Sequence, residues 1–480
     1  MARRITFYFF ITVVLLAPLP FASNRPWSWS LLSVFIGVLM IMDVLTSRDS
    51  ADTVWRFLVR LLPGLILMGS LILWIWLQTM VSLSADMVHP LWSEMEALIG
   101  IAPKTTISLD PEATKSSLMR LLAYAGVFWV AARFCRDSEN AAFVLKAFVI
   151  ASSIYAIYGL VIYFADLKMI LWFDKWAYLD DLTSTFVNRN TYATFAGLGL
   201  IASVGLLFDL TPNHLAGNVS RKTMFRVFTE WAFSRAWLPL MGVLLMATAL
   251  LPSHSRGGFL SAFLALIVLL ASVSYAKLLP RKVGFTLISM FALGSLFVLS
   301  LSGDIVDQRL ARTSLDTSIR DEVYERVIDA IPSSPLLGTG YGTFEQAFRA
   351  YKTPVLSVAN WDKAHNSYLE LAMELGIPAL AAFILLFLWL SGVFLSGLIR
   401  RGRRKIYAAI GLAATVLVAA HALVDFSLQI PGFTVTYALL AGLAWAQSWP
   451  TRQRARQRAL RTDRASLDLP DPAQDTEIKG

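Results

Sequence analysis

Residues 377–405 read IPALAAFILLFLWLSGVFLSGLIRRGRRK. From Ile377 to Ile399 there is no charged residue, a run long enough for a helix to cross the roughly 30 Å hydrocarbon core of a bilayer. The Arg and Lys cluster that closes it marks a cytoplasmic flank, because basic loops are retained on that side. An apolar run with a one-sided basic end predicts a membrane helix and its direction. The same pattern recurs along the chain, in which 56% of 480 residues are hydrophobic and 16% charged. An ordinary soluble domain carries about a quarter charged residues.

Outward from that stretch, apolar spans fall at 5–22, 29–46, 56–80, 116–134, 141–165, 190–209, 235–252, 257–278, 283–302, 377–399, 405–429 and 431–448. The expected fold is therefore an all-α polytopic membrane protein with about 12 transmembrane helices. The N-terminal MARRITFYFFITVVLLAPLP is read as a first, uncleaved helix. With Arg3 and Arg4 inside, SRDSADTVWR, ARFCRDSEN, SRKTMFRVF, AKLLPRK, LIRRGRRK and TRQRARQR all fall inside too, which places both termini in the cytoplasm. One transmembrane domain over 1–450 is expected, then a basic, partly disordered tail over 451–480. Outer loops of about 81–115 and 303–376 interrupt the domain, and the larger carries an amphipathic helix with Val323, Tyr324, Val327, Ile328 and Ile331 on one stripe.

The net charge of +9 is spread over loop flanks. It reports topology and contact with membrane lipids, with no nucleic-acid surface. Cys135 is the only cysteine, which excludes an intrachain disulfide and a cysteine-based metal site. Asp43 and Asp209 lie at inner ends of spans and Arg120, Asp166 and Asp425 at outer ends. An ion-coupled carrier concentrates ionisable groups near the bilayer centre. Here the chemistry gathers at the outer face, where His89, His254, His365 and His421 also fall.

Five constellations stand there. In LPSHSRGGFL (251–260), Arg256 opens a helix whose free N–H groups and neighbouring Gly257 and Gly258 suit a phosphate, although a lone interfacial Arg also binds lipid headgroups. In TSTFVNRNTYATF (183–195), Asn188, Arg189 and Asn190 precede a span, and capping explains one of the Asn residues. In SIRDEVYERVIDAIPSSPLLGTGYGTF (318–344), Arg320 opens the amphipathic helix and a turn with Gly338, Gly340 and Gly342 follows. In WDKAHNSYLELAMELGIP (361–378), His365 is suited to move a proton near neutral pH, Asn366 follows it, and Glu370 and Glu374 share a helix face that either solvates the helix or holds a cation, solvation being favoured. In AAHALVDFSLQIPG (419–432), His421 and Asp425 share one face of the eleventh helix, where packing and hydrogen bonding are favoured over a metal site.

Taken together, FVNRN, SRGG, the R-x-x-x-Y helix with PLLGTGYGTF, and HNSYLELAMELG resemble the bacterial O-antigen ligase and polymerase superfamily, in the family order from about Phe186 to Gly432. The resemblance implies a membrane glycosyltransferase of the GT-C type in the bacterial inner membrane, with its site facing the periplasm and neither metal nor cofactor. It implies an undecaprenyl diphosphate-linked glycan as donor and lipid A core or a lipid-linked glycan as acceptor. On matching positions it makes His365 catalytic and gives Arg256, Arg320 and, less directly, Arg189 to the donor diphosphate. Asn188, Asn190, His254, Asn366, Glu370, His421 and Asp425 are the supporting residues. Ligase and polymerase share the donor, so the acceptor stays open, as does a protein-directed transferase. From another class, a flippase or exporter of lipid-linked sugars predicts charges at the midplane and no dependence on His365.

Overall fold

In a computed structural model of the chain, residues 1–80, 87–100, 106–211, 229–278, 319–358, 360–400 and 405–449 are described, with Arg226 and Ser289 as isolated positions. The expected span at 283–302 and the tail after Trp449 lie outside the described residues.

The described elements are α1 (Ala2–Leu16), α2 (Pro26–Thr46), α3 (Ala51–Gln78), α4 (Pro90–Ile99), α5 (Pro111–Phe134), α6 (Ser138–Phe164), a hairpin of β1 (Met169–Ile170) and β2 (Phe173–Asp174), and α7 (Arg189–Leu210). There follow α8 (Thr229–Leu250), α9 (Arg256–Tyr275), α10 (residues 319–330), α11 (Phe344–Phe348), α12 (Ser367–Leu375), α13 (Ile377–Arg400), α14 (Lys405–His421) and α15 (Pro431–Gln447). Eight of them are long and apolar enough to cross a membrane. The shorter α1, α14 and α15 occupy the expected first, eleventh and twelfth spans.

Local chemistry sets the ends. Proline stands in the first turn of α2, α4, α5 and α15, where its missing N–H costs nothing. Asp110 caps α5, accepting from Glu112 and Ala113 N–H at 3.1 and 3.0 Å, so that helix begins before the apolar run at 116. His89 caps α4 through Nδ1, which accepts from Leu91 N–H at 3.2 Å, and burial pushes its pKa down to about 4.

All of α15 is buried, packed on α5, α14 and α13. Helix α7, nearly as buried, lies among α8, α9, α14 and α6. Lipid is as apolar as leucine, so such helices associate through close van der Waals packing of small residues, and α15 supplies Ala438, Ala441, Gly442 and Ala444. At one end of the bundle Asp43, wholly buried, meets Arg133 at 2.8 Å and Arg3 at 3.6 Å, and Arg133 and Arg136 both meet Asp49. The same end receives the last turn of α15, where Gln447 donates to the Cys135 carbonyl at 2.6 Å.

The opposite end carries a cap with a core of its own: Val323, Val327 and Ala330 of α10 against Phe344, Phe348, Leu356, Ala364 and Met373. The expected stripe is corrected at one position. Ile328 is 53% exposed while Ala330 is buried, because the helix turns Ala330, three residues after Val327, into the contact. Gln78, at the last turn of α3 and fully buried, moors the cap by donating to the Leu337 and Glu374 carbonyls at 2.8 and 3.0 Å and accepting from Tyr341 N–H at 3.2 Å. Leu109 N–H donates to the Thr339 carbonyl and joins the two long loops, while Ser108 N–H donates to the Gln78 carbonyl at the end of α3, each at 2.9 Å.

Candidate active site

The motif HNSYLE places each side chain in one structural task. Asn366 caps α12, its Oδ1 accepting from Tyr368 and Leu369 N–H, both at 3.1 Å. Ser367 donates from Oγ to the Asp425 carbonyl at 2.9 Å, and Tyr368 from its hydroxyl to the Ala419 carbonyl at 2.9 Å. These bonds fasten α12 to the end of α14. Glu370 accepts from Ala364 N–H at 2.8 Å and faces Lys363 Nζ at 3.4 Å, which fixes the backbone just before His365. His365 itself sits in the left-handed region at φ 54°, a conformation costing about 1 kcal/mol or more that the surrounding bonds must impose.

Asp425 sits opposite. The continuous helix expected over 405–429 is corrected here: α14 stops at His421, and residues 422–424 form a turn before the short 3-10 segment Ser427–Gln429. The local sequence disfavours a helix running on to α15, since the Asp425 and Ser427 side chains compete for backbone groups and Pro431 holds Ile430 extended. Released from the helix, Asp425 turns its fully buried carboxylate to His365 Nδ1 (3.3 Å), Asn190 Nδ2 (3.3 Å) and Ser427 Oγ (3.3 Å). Burial alone raises its pKa, but the His365 and Asn190 hydrogen bonds and the neighbouring imidazoles outweigh it, so the carboxyl lies below its usual range. Carboxylate and imidazole are side by side, and Nε2 of His365 has no hydrogen-bond partner among the described residues.

The ring of His421, paired with Asp425 in the sequence reading, is linked to its carboxylate through Ser427, while the His421 carbonyl accepts from Asp425 N–H at 3.0 Å. Its Nδ1 lies 3.1 Å from Ser427 Oγ and 2.9 Å from Thr194 Oγ1.

Three arginines lie on helices that adjoin this dyad, Arg189 and Arg256 at the first positions of α7 and α9. Arg320, first of the R-x-x-x-Y spacing, stands one turn from Tyr324, whose hydroxyl donates to the His365 carbonyl at 2.9 Å. Arg256 follows Ser255, whose Oγ caps α9 by accepting from Gly258 N–H at 3.1 Å. Its neighbour Gly257 lies against Val424 and the His421 ring, so the start of α9 adjoins the turn that carries Asp425. Arg256 is exposed and Arg320 half-buried, and neither has a hydrogen-bond or ion-pair partner among the described residues. Arg189 differs. Its Nη1 pairs with Asp181 Oδ2 at 2.9 Å, and its guanidinium lies 5.4 Å from the Tyr178 ring. Asp181 also takes His254 Nδ1 at 2.7 Å. Its burial raises the carboxyl pKa, but these two partners outweigh that and hold it below the usual range. Asn188 caps α7, accepting from Asn190 and Thr191 N–H at 2.6 and 3.3 Å. Tyr178 feels Asp425, Arg189, Arg320 and Asp181 together, and burial above all raises its pKa.

Glu370 and Glu374 do not solvate a helix face, because both are buried. Glu374 accepts from Phe344 N–H at 2.9 Å, and burial next to Glu370 pushes its pKa up. The glycine turn is likewise occupied by protein. Gly338 and Gly340 have φ of 71° and 106°, and a Cβ on Gly340 would stand 2.3 Å from Ser108 Oγ. Sequence reasoning missed Asp181 and Gln78. The signals were a paired Asp just before FVNRN and an amide ending an apolar span.

Among the described residues no group of three His, Cys, Asp or Glu is placed to hold a metal ion. Residues 241–384 match the family model for O-antigen ligase. The matched stretch runs from within α8 to within α13 and contains Arg256, Arg320 and His365. It supports the O-antigen ligase and polymerase superfamily, the one that the motifs resemble, and with it a membrane enzyme acting on lipid-linked glycans. No curated protein matches the chain.

Proposed function

We propose that this chain transfers a glycan from an undecaprenyl diphosphate carrier to a sugar hydroxyl at the outer, periplasmic face of the inner membrane, with lipid A core as acceptor. The observation that carries the reading is the buried Asp425 carboxylate on His365 Nδ1, with the start of α9, where Arg256 stands, against the Val424 turn and the Arg320-bearing helix tied to His365 through Tyr324. In this reading the acceptor oxygen attacks the anomeric carbon and its proton passes to His365 Nε2. The bond from that carbon to the carrier's phosphate oxygen breaks, and its electron pair leaves with the lipid diphosphate.

Each group has a physical reason for its part. Asp425 stabilises the imidazolium that forms and fixes the proton on Nδ1 beforehand, leaving Nε2 as the base. Charge on the diphosphate grows as the bond breaks, so Arg256 and Arg320 hold the transition state more tightly than the substrate. The N-terminal dipole of α9 acts in the same direction. Arg189, its charge shared with Asp181, adds a softer contribution at the edge. Asn190, Ser427, Glu370 and Asn366 keep the dyad in place.

The test is a gel profile of surface polysaccharide in the source cell, comparing a deletion strain, the wild-type gene and His365→Ala. Ligase-type transfer predicts loss of all glycan-capped lipopolysaccharide, with long polymer held on the lipid carrier. Lipopolysaccharide capped by a single repeat would instead mark a polymerase. Wild-type behaviour of His365→Ala would overturn the catalytic assignment and favour a flippase or exporter.

A further inference from the structure

A cavity of about 300 Å³ lies between the outer end of α6 and the loop 166–184. That volume is at the lower end of the roughly 300–1,000 Å³ range of small-molecule sites. Asp181 ties it to the arginine set. Its carboxylate holds Arg189 and His254, while its backbone carbonyl accepts from Lys175 Nζ at 2.6 Å inside the cavity wall. The ring of Tyr163, also in the wall, meets the His254 ring edge-on at 6.5 Å.

The wall narrows the ligand by class. Asp166, Asp180 and Asp181 set three carboxylates against Lys168 and Lys175, so a polyanion is repelled as much as it is held. Lys168 already pairs with Asp166 and Asp180 at 2.7 and 3.1 Å, and Asp181 with Arg189 and His254, so the half-buried Lys175 is the group with hydrogen bonds left to give. A lipid chain would offer it no acceptor, whereas a ligand carrying hydroxyl oxygens supplies one. Lys175 has three N–H donors and spends one on the Asp181 carbonyl. The exposed Phe164 ring at the rim, 73% accessible, offers the apolar face that the C–H side of a sugar ring covers.

We infer that this cavity is a saccharide subsite, holding one sugar of the glycan substrate beside the transfer centre through the Lys175 ammonium and the Phe164 ring. The inference rests on the transfer reading above for what the sugar does there, though its binding does not require transfer. Half-burial brings the Lys175 pKa down to about 8, consistent with an ammonium short of acceptors until a sugar oxygen arrives.

The test uses the full chain in lipid nanodiscs and saturation-transfer NMR with two probes from the source cell: its lipopolysaccharide core oligosaccharide and its surface-polysaccharide repeat oligosaccharide. Binding of one probe is expected, and which one separates a core acceptor from a polymer chain. Lys175→Met should weaken that binding about tenfold, as for the loss of one charge-assisted hydrogen bond. Phe164→Ala, which removes an exposed ring without disturbing the core, should weaken it about threefold. No binding of either probe, or wild-type binding by both Lys175→Met and Phe164→Ala, would overturn the subsite. Transfer retained by His365→Ala would overturn the enzymatic reading alone.

Discussion

Replacing Asp425 by Asn changes a buried carboxylate into an amide of the same shape, so the experiment isolates charge. The carboxylate accepts from His365, Asn190 and Ser427, each at 3.3 Å. The amide keeps one acceptor oxygen and the packing, and the protein should still insert and fold, with a melting temperature lowered by the stability that the depressed carboxyl pKa supplies at neutral pH. In the proposed transfer the variant loses the counter-charge to the imidazolium that forms when His365 takes the acceptor's proton. A hydrogen bond to a charged group contributes about 1.5–3 kcal/mol. At about 1.4 kcal/mol per decade the expected loss in kcat is roughly 10- to 150-fold. Acceptor and donor KM should stay near wild type, because the interaction belongs to the transition state. The assay is transfer by purified protein in proteoliposomes with saturating lipid-linked donor. Activity within twofold of wild type would refute the dyad and leave Asp425 a packing residue. The pH dependence adds a second reading. A carboxyl held below its usual pKa in the folded state supplies stability that is present at higher pH and lost as pH falls through the folded value, so this contribution should persist until the solution is more acid than the usual 3.8.

Arg256→Ala with Arg320→Ala should abolish transfer while leaving the protein folded in membranes; retained transfer by the double variant would sink the diphosphate clamp. Gly340→Ala should destabilise the cap by about 2 kcal/mol or more, since a left-handed residue strains there and the added methyl would stand 2.3 Å from Ser108 Oγ; an unchanged melting temperature would contradict the packing. In Glu374→Gln the pH slope of stability should flatten. The raised pKa keeps a proton on the folded protein that the unfolded chain loses above about 4.5, so wild-type stability falls as pH rises from there. Thermal melts at pH 5 and pH 8 should show that fall in the wild type and a smaller one in the variant, and equal slopes would count against a protonated Glu374.

The membrane helices and the residues that carry the motifs were legible because both are written along the chain. Apolar runs give spans by their length, and R-x-x-x-Y places Arg320 and Tyr324 on one face whatever surrounds the helix. The dyad was not legible, because His365 and Asp425 are separated by 60 residues and helical periodicity drew Asp425 onto the α14 face with His421. The signals for breaking that helix, an Asp and a Ser ahead of Pro431, are weaker than the apolar pattern that argues for continuing it. Glu370 and Glu374 misled for a related reason. Two carboxylates four apart on a nine-residue helix normally mark a solvated face, but α12 lies between the cap core and the membrane helices, with Met373 in one cluster and Leu375 in another. The charges turn inward because the backbone on both sides needs acceptors: Ala364 N–H before His365 takes Glu370, and Phe344 N–H after the glycine turn takes Glu374. Those two carboxylates thus join the HNSYLE and GTGYGTF segments. The loop of His365 is held by Glu370 from α12, Tyr324 from α10 and Asp425 from beyond the end of α14. Moving any one of these elements displaces Nε2, so the proposed role of His365 as a fixed base depends on all three bonds.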